Sequence, residues 1–530
     1  MNMELGIGNW LLAFLPVLLL LGGILFLRWE AAKAGAAAWF VSLAVAWGMF
    51  GADARLLVLA NCKGVSLSVF VLLIIWGAVF LYNVADKAGA IKVIGDTLAR
   101  VTDDRLLRCL LFAWCFTSLL QGFAGFGVPV AVVAPLMVIM GYAPLTALAA
   151  CLVGHSWSIT FGSMGSSYIA IQLVTGIPGE LIAPVMALLF STAVFTTGFG
   201  VAHIYGGMKA VRQAVPYVIP AGAVMSGTLW LATVIGTAQL ASLLAAMSGC
   251  IVLGIFGYRK AGSKVGKAAP ASGTPLPAPA AFSGEGKAAV MSFNTVSFPY
   301  YLVIGLSVLS QVPPIKAALG GFHLGLDYPA VQTALGHMVK AEPDYAKIML
   351  FSHPAPILFV SALAGYFVYT AVGNVDKNIL AEAARETVKK CIPTSVGILL
   401  MVMMALVMID SGMTGHIAQG IAAVLCDYYA LFAPFVGVLG TFITGSNTNS
   451  NIMFGALQYE TALLLGKSGV LFAAAQSLGG SIGVAISPAT IMMGASNVGL
   501  NGQESVIMRI TAKYCLFSVS ITGLVVWILS

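Results

Sequence analysis

The chain has 530 residues, of which 59% are hydrophobic and 8% charged, with a mean hydropathy of +0.97 and a formal net charge of +7. Its length would suit about three or four soluble domains, but this composition excludes them and describes a polytopic membrane protein. The positive charge is no nucleic-acid signal. Its largest cluster, Arg259, Lys260, Lys264, Lys267 and Lys287, falls between apolar runs and marks the cytoplasmic side.

Leu5–Leu27 is too long for a cleaved signal and lacks the basic leader, so it reads as the first span. Ala31–Phe50 and Leu67–Val84 are the next two. Ile91–Arg108 mixes Lys92, Asp96, Arg100 and Asp103 with apolar residues and reads as an interfacial amphipathic helix. Leu110–Leu120 and Val128–Met140 are each too short to cross alone. Between them lies Gln121-Gly-Phe-Ala-Gly-Phe-Gly127, so the pattern fits a re-entrant hairpin or a discontinuous helix. Ala147–Val153 leads into a second irregular stretch, residues 154–167, which contains His155, Ser156, Trp157, Ser158 and Ser163. Leu181–Val201, Val218–Ile235 and Leu240–Phe256 are ordinary spans. Arg259–Lys287, rich in Ala, Gly, Pro and Lys, reads as a flexible cytoplasmic linker. The expected division is thus 1–257, a linker at 258–294, and 295–530.

Phe298–Leu309 opens the second half, followed by a mixed amphipathic region, Pro313–Lys347. Ile348–Val372 is a span that Pro354 and Pro356 should break early, and Asp376–Lys390 is a polar segment of helical period with a solvated face. Val396–Ile409 and Ile417–Leu425 follow, with Asp410 between them as an expected interfacial cap. Leu431–Leu439 runs into Gly440-Thr-Phe-Ile-Thr-Gly-Ser-Asn-Thr-Asn-Ser-Asn451, where two glycines and eight hydroxyl or amide side chains interrupt an apolar run. Ile452–Leu465, a last irregular region at Gln476–Pro488 and a span at Ile510–Leu529 complete the chain.

The halves superpose at an offset of 318 residues: Gly122 meets Gly440, Gly127 meets Gly445, Gly162 meets Gly480, Ser163 meets Ser481 and Gly165 meets Gly483. Paired interruptions at corresponding positions of two halves point to a transporter site near mid-membrane. The fold expectation from the residues is an all-α polytopic protein of two repeats. Enzymatic motifs such as H-E-x-x-H, G-x-x-x-x-G-K-[ST] and G-x-S-x-G are missing. The eight cysteines are dispersed, without a C-x-x-C, so neither a disulfide scaffold nor a zinc site is expected. No catalytic residue, cofactor or metal is expected. His155 titrates near working pH and sits in a break, where it could hold a carboxylate, carry a proton, or simply bond a helix end.

Gly122-Phe-Ala-Gly-Phe-Gly-Val-Pro-Val130 resembles the E-G-A-A-G-F-G-T-P-V-A motif of the L-lactate permease family, and Thr444-Gly-Ser-Asn-Thr-Asn-Ser-Asn451 resembles its T-G-S-D-T-S-S-N. Gly455-Ala-Leu-Gln458, Phe161–Gly165, Ile486-Ser-Pro488 and Val498–Glu504 extend the resemblance over most of the chain. It implies a secondary transporter carrying 2-hydroxymonocarboxylates such as lactate or glycolate, with protons, across the cytoplasmic membrane. It also implies that the two repeats are inverted, with re-entrant hairpins, discontinuous transmembrane helices and elevator-type motion. Departures are Gln121 and Asn447 where the family has acids, Val484 where it has a lysine, Ala489 for an amide, and His155-Ser-Trp-Ser158 for Asn-Thr-Ala-Pro. Ser446-Asn447-Thr448 is similar to sodium-site tips of related carriers, which leaves sodium coupling open beside protons. A cation antiporter and a passive anion channel remain as rival classes, and a homodimer is open.

The substrate-binding candidates are Gln121, Gly122, Ala124, Gly125, Phe126, Gly127, His155, Ser156, Ser163, Ser446, Asn447, Thr448, Asn449, Asn451 and Ser487. His155 doubles as the candidate proton carrier. The partners expected are a small carboxylate, a proton or sodium ion, and membrane lipid.

Overall fold

The computed structural model describes residues 6–27, 29–123, 125, 127–262, 291–319, 321–373 and 375–530. Most of the expected linker, residues 263–290, lies outside the described residues, as do Ala124 and Phe126.

The first half runs α1 (Ile7–Leu25), α2 (Ala31–Met49), α3 (Ala54–Lys87) and α4 (Ala90–Ala99). α5 (Arg105–Cys109) continues through a π-helical stretch, Leu110–Phe116, into α6 (Thr117–Phe123). Then follow α7 (Val128–Ile139), α8 (Pro144–Gly154), α9 (Ser166–Thr175), α10 (Gly179–Val234) and α11 (Ala241–Gly262). α10 is two antiparallel helices, turned at Gly206 and Gly207, where Gly207 takes φ +64°. Only a residue without a Cβ accepts that conformation cheaply.

The second half runs α12 (Phe293–Gln311), α13 (Pro313–Leu319), then strands β1 (His323–Tyr328), β2 (Val331–Gln332), β3 (Met338–Val339) and β4 (Glu342–Met349). α14 (Pro354–Gly373), α15 (Ile379–Asp410), α16 (Met413–Leu425), α17 (Tyr429–Thr444), α18 (Asn447–Leu464), α19 (Gly469–Gly483), α20 (Pro488–Asn497) and α21 (Glu504–Leu529) complete it. Thirteen segments among the described residues are long and apolar enough to cross a membrane. The protein is a multi-pass membrane protein.

Four expectations need correction. The mixed region Pro313–Lys347 is largely strand: β1 pairs antiparallel with β4 and β2 with β3, a small departure from the all-α expectation. Pro354 opens α14 instead of breaking it, because the first turn of a helix has no use for the missing N–H. The polar segment Asp376–Lys390 and the apolar run after it form one helix, α15, of 32 residues. Asp410 is not an interfacial cap but is buried, with both carboxylate oxygens 3.1 Å from Nζ of Lys63.

α3 and α15 pack antiparallel along their lengths. Lys63 meets Asp410 near one end, Trp76 Nε1 donates to Ser395 Oγ at 3.0 Å midway, and Asn83 Nδ2 donates to Thr387 Oγ1 at 2.8 Å near the other. The strand segment docks on this pair: Glu342 reaches Lys63 at 2.7 Å, Tyr328 Oη lies 2.7 Å from Ser66 Oγ, and His337 packs on Gly412.

The two broken regions each form a helical hairpin. Arg105 Nη2 donates to the Gly141 carbonyl at 2.7 Å, and Tyr142 Oη to the Arg105 carbonyl at 2.6 Å, so both ends of α5–α7 lie side by side. Lys467 and Asp427 pair at 3.2 Å and close the ends of α17–α18 in the same way. Close approach of α17 and α19 depends on missing side chains. A Cβ on Gly479 would fall 1.8 Å from the Pro434 carbonyl oxygen, and one on Gly437 2.1 Å from that of Gln476.

Candidate functional site

Four interruptions meet at one small cavity. Gln121 of α6 comes with Gly125 and Gly127 from between α6 and α7; His155, Ile159 and Ser163 come from between α8 and α9, with Ser166 and Ser167 from the first turn of α9. Gly445 and Ser446 come from between α17 and α18, with Asn447 and Thr448 from the first turn of α18, and Val484 comes from between α19 and α20, with Thr490 from the first turn of α20. The unwound backbone is narrower than the sequence suggests. At the tip of the α17–α18 hairpin it is Gly445–Ser446 alone, since α17 runs to Thr444 and α18 starts at Asn447.

Each break has a local cause. Gly127 and Gly445 take the left-handed φ values +80° and +73°; Gly127 stands immediately before α7, and Gly445 ends α17. Ser446 caps α18 by accepting from the Asn449 amide at 3.4 Å. Pro488 starts α20. Ser163, Met164 and Gly165 are three consecutive residues at positive φ (47°, 53° and 74°). Two of these carry side chains, so the surrounding fold must hold them there against a cost of about 1–3 kcal/mol each.

The cavity of about 30 Å³ has room for about two waters at ~10–15 Å³ each. The N-termini of α7, α9 and α18 open onto it through Gly127, Ser166 and Asn447, and their free N–H groups give it positive potential. Among its lining residues only His155 is titratable. His155 is buried, with Nδ1 2.7 Å from the Cys151 carbonyl. A carbonyl only accepts, so Nδ1 carries the ring proton and Nε2 stays the acceptor of the neutral imidazole. No group of three His, Cys, Asp or Glu that could hold a metal occurs among the described residues.

A polar layer fixes the wall behind the cavity. Asn447 Nδ2 donates to Thr160 Oγ1 at 2.8 Å, and Thr160 Oγ1 donates to the Ser477 carbonyl at 3.1 Å. Ser167 Oγ lies 2.8 Å from Thr448 Oγ1, and Asn451 Nδ2 donates to Ser477 Oγ and the Ser167 carbonyl at 2.8 and 2.9 Å. Asn447 Oδ1 and Thr441 Oγ1 are buried without hydrogen-bond partners. They lie 2.1 and 3.1 Å from the same point, where Gly480 would carry a Cβ.

Of the sequence candidates, Gln121, Gly125, Gly127, His155, Ser163, Ser446, Asn447 and Thr448 line the cavity. Gly122 instead packs on Leu243, Ser156 donates to the Val153 carbonyl at 2.8 Å, and Asn451 belongs to the polar wall. Asn449 and Ser487 are buried and also absent from the lining. Trp157 is fully buried packing. Ser166, Ser167 and Thr490 line the cavity without having been singled out. Their signal was their place at the start of α9 and α20, where helix N-termini meet the opposite hairpin.

The chain has relatives along nearly its whole length. The family model for L-lactate permease matches residues 9–530. The L-lactate permease of Bacillus subtilis (strain 168) is 29% identical over 546 residues, covering 96% of this chain and 94% of its own. Glycolate permease GlcA of Escherichia coli (strain K12) is 28% identical, covering 97% and 94%. The YdaH transporter of Alcanivorax borkumensis aligns with a TM-score of 0.42 at 14% identity, over 87% of this chain and 84% of that one. Relatives named as permeases, not enzymes, agree with a site holding no catalytic set. With the match running from the first span to the last residue, this chain belongs to the L-lactate permease family.

Proposed function

We propose that the protein is a secondary transporter that takes up small 2-hydroxymonocarboxylates, L- and D-lactate and glycolate, across the cytoplasmic membrane. The observation that carries this reading is the convergence of four helix breaks on one uncharged polar cavity. Half-helix N-termini supply potential for a carboxylate, while Ser, Thr and Asn side chains supply neutral partners for carboxylate and hydroxyl. The names of the relatives supply the substrate class.

In this reading α5–α7 and α17–α18 are re-entrant hairpins with tips at mid-membrane, and each half is one inverted repeat. Pairs α3 and α15 correspond across the halves, as do α4 and α16, which join them to the hairpins. The hairpins with α8–α9 and α19–α20 form the moving body of an elevator, and α3 with α15 belongs to the scaffold. His155, which lines the cavity, is the proton carrier.

A second reading, sodium coupling, is favoured by Asn447 Oδ1 and Thr441 Oγ1. Two buried oxygens without donors, beside the C-termini of α17 and α19, suit a bare monovalent cation. Counterflow in proteoliposomes tests both. Unlabelled lactate or glycolate inside should drive uptake of labelled L-lactate, and a pore would not. An imposed proton gradient should raise net uptake; a response to sodium instead selects the second reading, and a response to neither removes coupled symport.

A further inference from the structure

Beside the polar cavity lies a larger one of about 460 Å³ that the transport reading leaves unused. Its walls come from both sides of the proposed sliding boundary: Ile75 and Val79 of α3 and Cys391 of α15 on one side, Val128 and Ala131 of α7 and Met493 of α20 on the other. These walls are mostly apolar, with Thr394 of α15 and Asn497 of α20 as polar exceptions. At one end Tyr82, Asp86 and Lys390 form a polar rim, on the side of the membrane where α3 ends and α15 begins. The chain crosses once by α14 between the strands and α15, and once by α12 between the basic linker and the strands, so this rim faces the linker side, the cytoplasm.

The other end abuts the polar cavity. Neighbours in sequence line the two spaces, Gly127 beside Val128 and Thr490 one turn before Met493. Met493 Sδ lies 2.8 Å from the point where Gly127 would carry a Cβ, so one flexible thioether closes the doorway. The space is far larger than a three-carbon acid needs, and between the rim and Met493 its walls offer a hydroxyl or carboxylate few partners, Thr394 and Asn497 against six or more apolar side chains.

We infer that this cavity is a tail pocket for 2-hydroxymonocarboxylates with longer alkyl chains, which bind with the head in the polar cavity and the tail past Met493. Such a ligand touches scaffold and moving body at once, so it inhibits from the cytoplasmic side and is not exchanged. The inference rests on the proposed transport of lactate. Each methylene entering the cavity tightens binding roughly fourfold, until the tail meets the charged rim of Asp86 and Lys390.

The test uses the full chain in proteoliposomes exchanging labelled L-lactate, with 2-hydroxybutyrate, 2-hydroxyhexanoate and 2-hydroxyoctanoate as competitors. 2-Hydroxyhexanoate should inhibit at a concentration more than tenfold below that of unlabelled L-lactate, and labelled 2-hydroxyhexanoate should not exchange. Ala131→Phe and Thr394→Phe, which fill the cavity from opposite walls, should remove the chain-length gain; the same series read by thermal shift covers a variant that no longer exchanges. Absence of lactate exchange in the wild type would refute the transport reading itself. Lactate exchange with no chain-length gain, a gain that survives both variants, or rapid exchange of the six-carbon acid would overturn the tail pocket.

Discussion

Replacing Lys63 with Met should be among the most damaging single substitutions outside the cavity. Lys63 and Asp410 expose 4% and 5% of their side chains, and Nζ sits 3.1 Å from a carboxylate oxygen. At an effective dielectric of about 20, a pair at that distance attracts by roughly 5 kcal/mol. Losing the cation leaves Asp410 buried and uncompensated, with Glu342 beside it, so the expected cost is about 3–5 kcal/mol. Asp410→Asn should cost less, because Glu342 still holds Lys63 at 2.7 Å. Glu342→Gln should cost under about 1 kcal/mol, since Glu342 is 41% exposed and water screens it. The double variant Lys63→Met with Asp410→Leu should regain most of the loss, because an apolar pair needs no desolvation. Equilibrium unfolding of purified protein in mixed micelles, followed by tryptophan fluorescence, would rank the four. If Lys63→Met costs no more than Glu342→Gln, or if the double variant is as damaged as the single, the buried pair is not what joins α3 to α15.

Asn447→Ala should abolish uptake while leaving folded protein in the membrane, because it removes the side-chain hydrogen bond from the α18 tip to Thr160. Ser446→Ala should also abolish uptake, with a cap loss of about 1 kcal/mol in stability; near-normal transport in both would remove the site assignment. His155→Gln should flatten the pH dependence of lactate uptake, and an unchanged profile would leave His155 as a helix-end bond only. His337, outside the membrane on the strand segment, is pushed below its ordinary value by burial, against a smaller raising effect of the Ile409 carbonyl. The unfolded chain therefore binds the proton more readily, and this contribution to stability is present above the ordinary imidazole range of about 6.5 and lost as pH falls below it. Thermal unfolding between pH 7.5 and 5.5 should show a steeper loss for the wild type than for His337→Asn, and equal slopes would contradict it.

The membrane spans and the two glycine-polar breaks were legible in the sequence, because uninterrupted apolar runs and their interruptions are one-dimensional signals. What joins distant segments was not. Lys63 lies before the expected span Leu67–Val84, and its partner Asp410 is 347 residues away. Read alone, each looks like an interfacial charge. α15 also hid its length, since Glu382, Glu386, Lys389 and Lys390 make its first turns polar where they meet Lys87 and water. Ser166 and Ser167 look like any small residues until α18 is laid across them.

The account depends on a small carboxylate seated where the four breaks meet. Thermal unfolding of the wild type, Asn447→Ala and Glu342→Gln with and without L-lactate or glycolate tests that claim most directly. Ligand at about 100 times its Kd stabilises a protein by roughly 2.7 kcal/mol, so the wild type and Glu342→Gln should shift clearly and Asn447→Ala should not. A shift of the same size in Asn447→Ala, or none in the wild type with either acid, would place the ligand elsewhere.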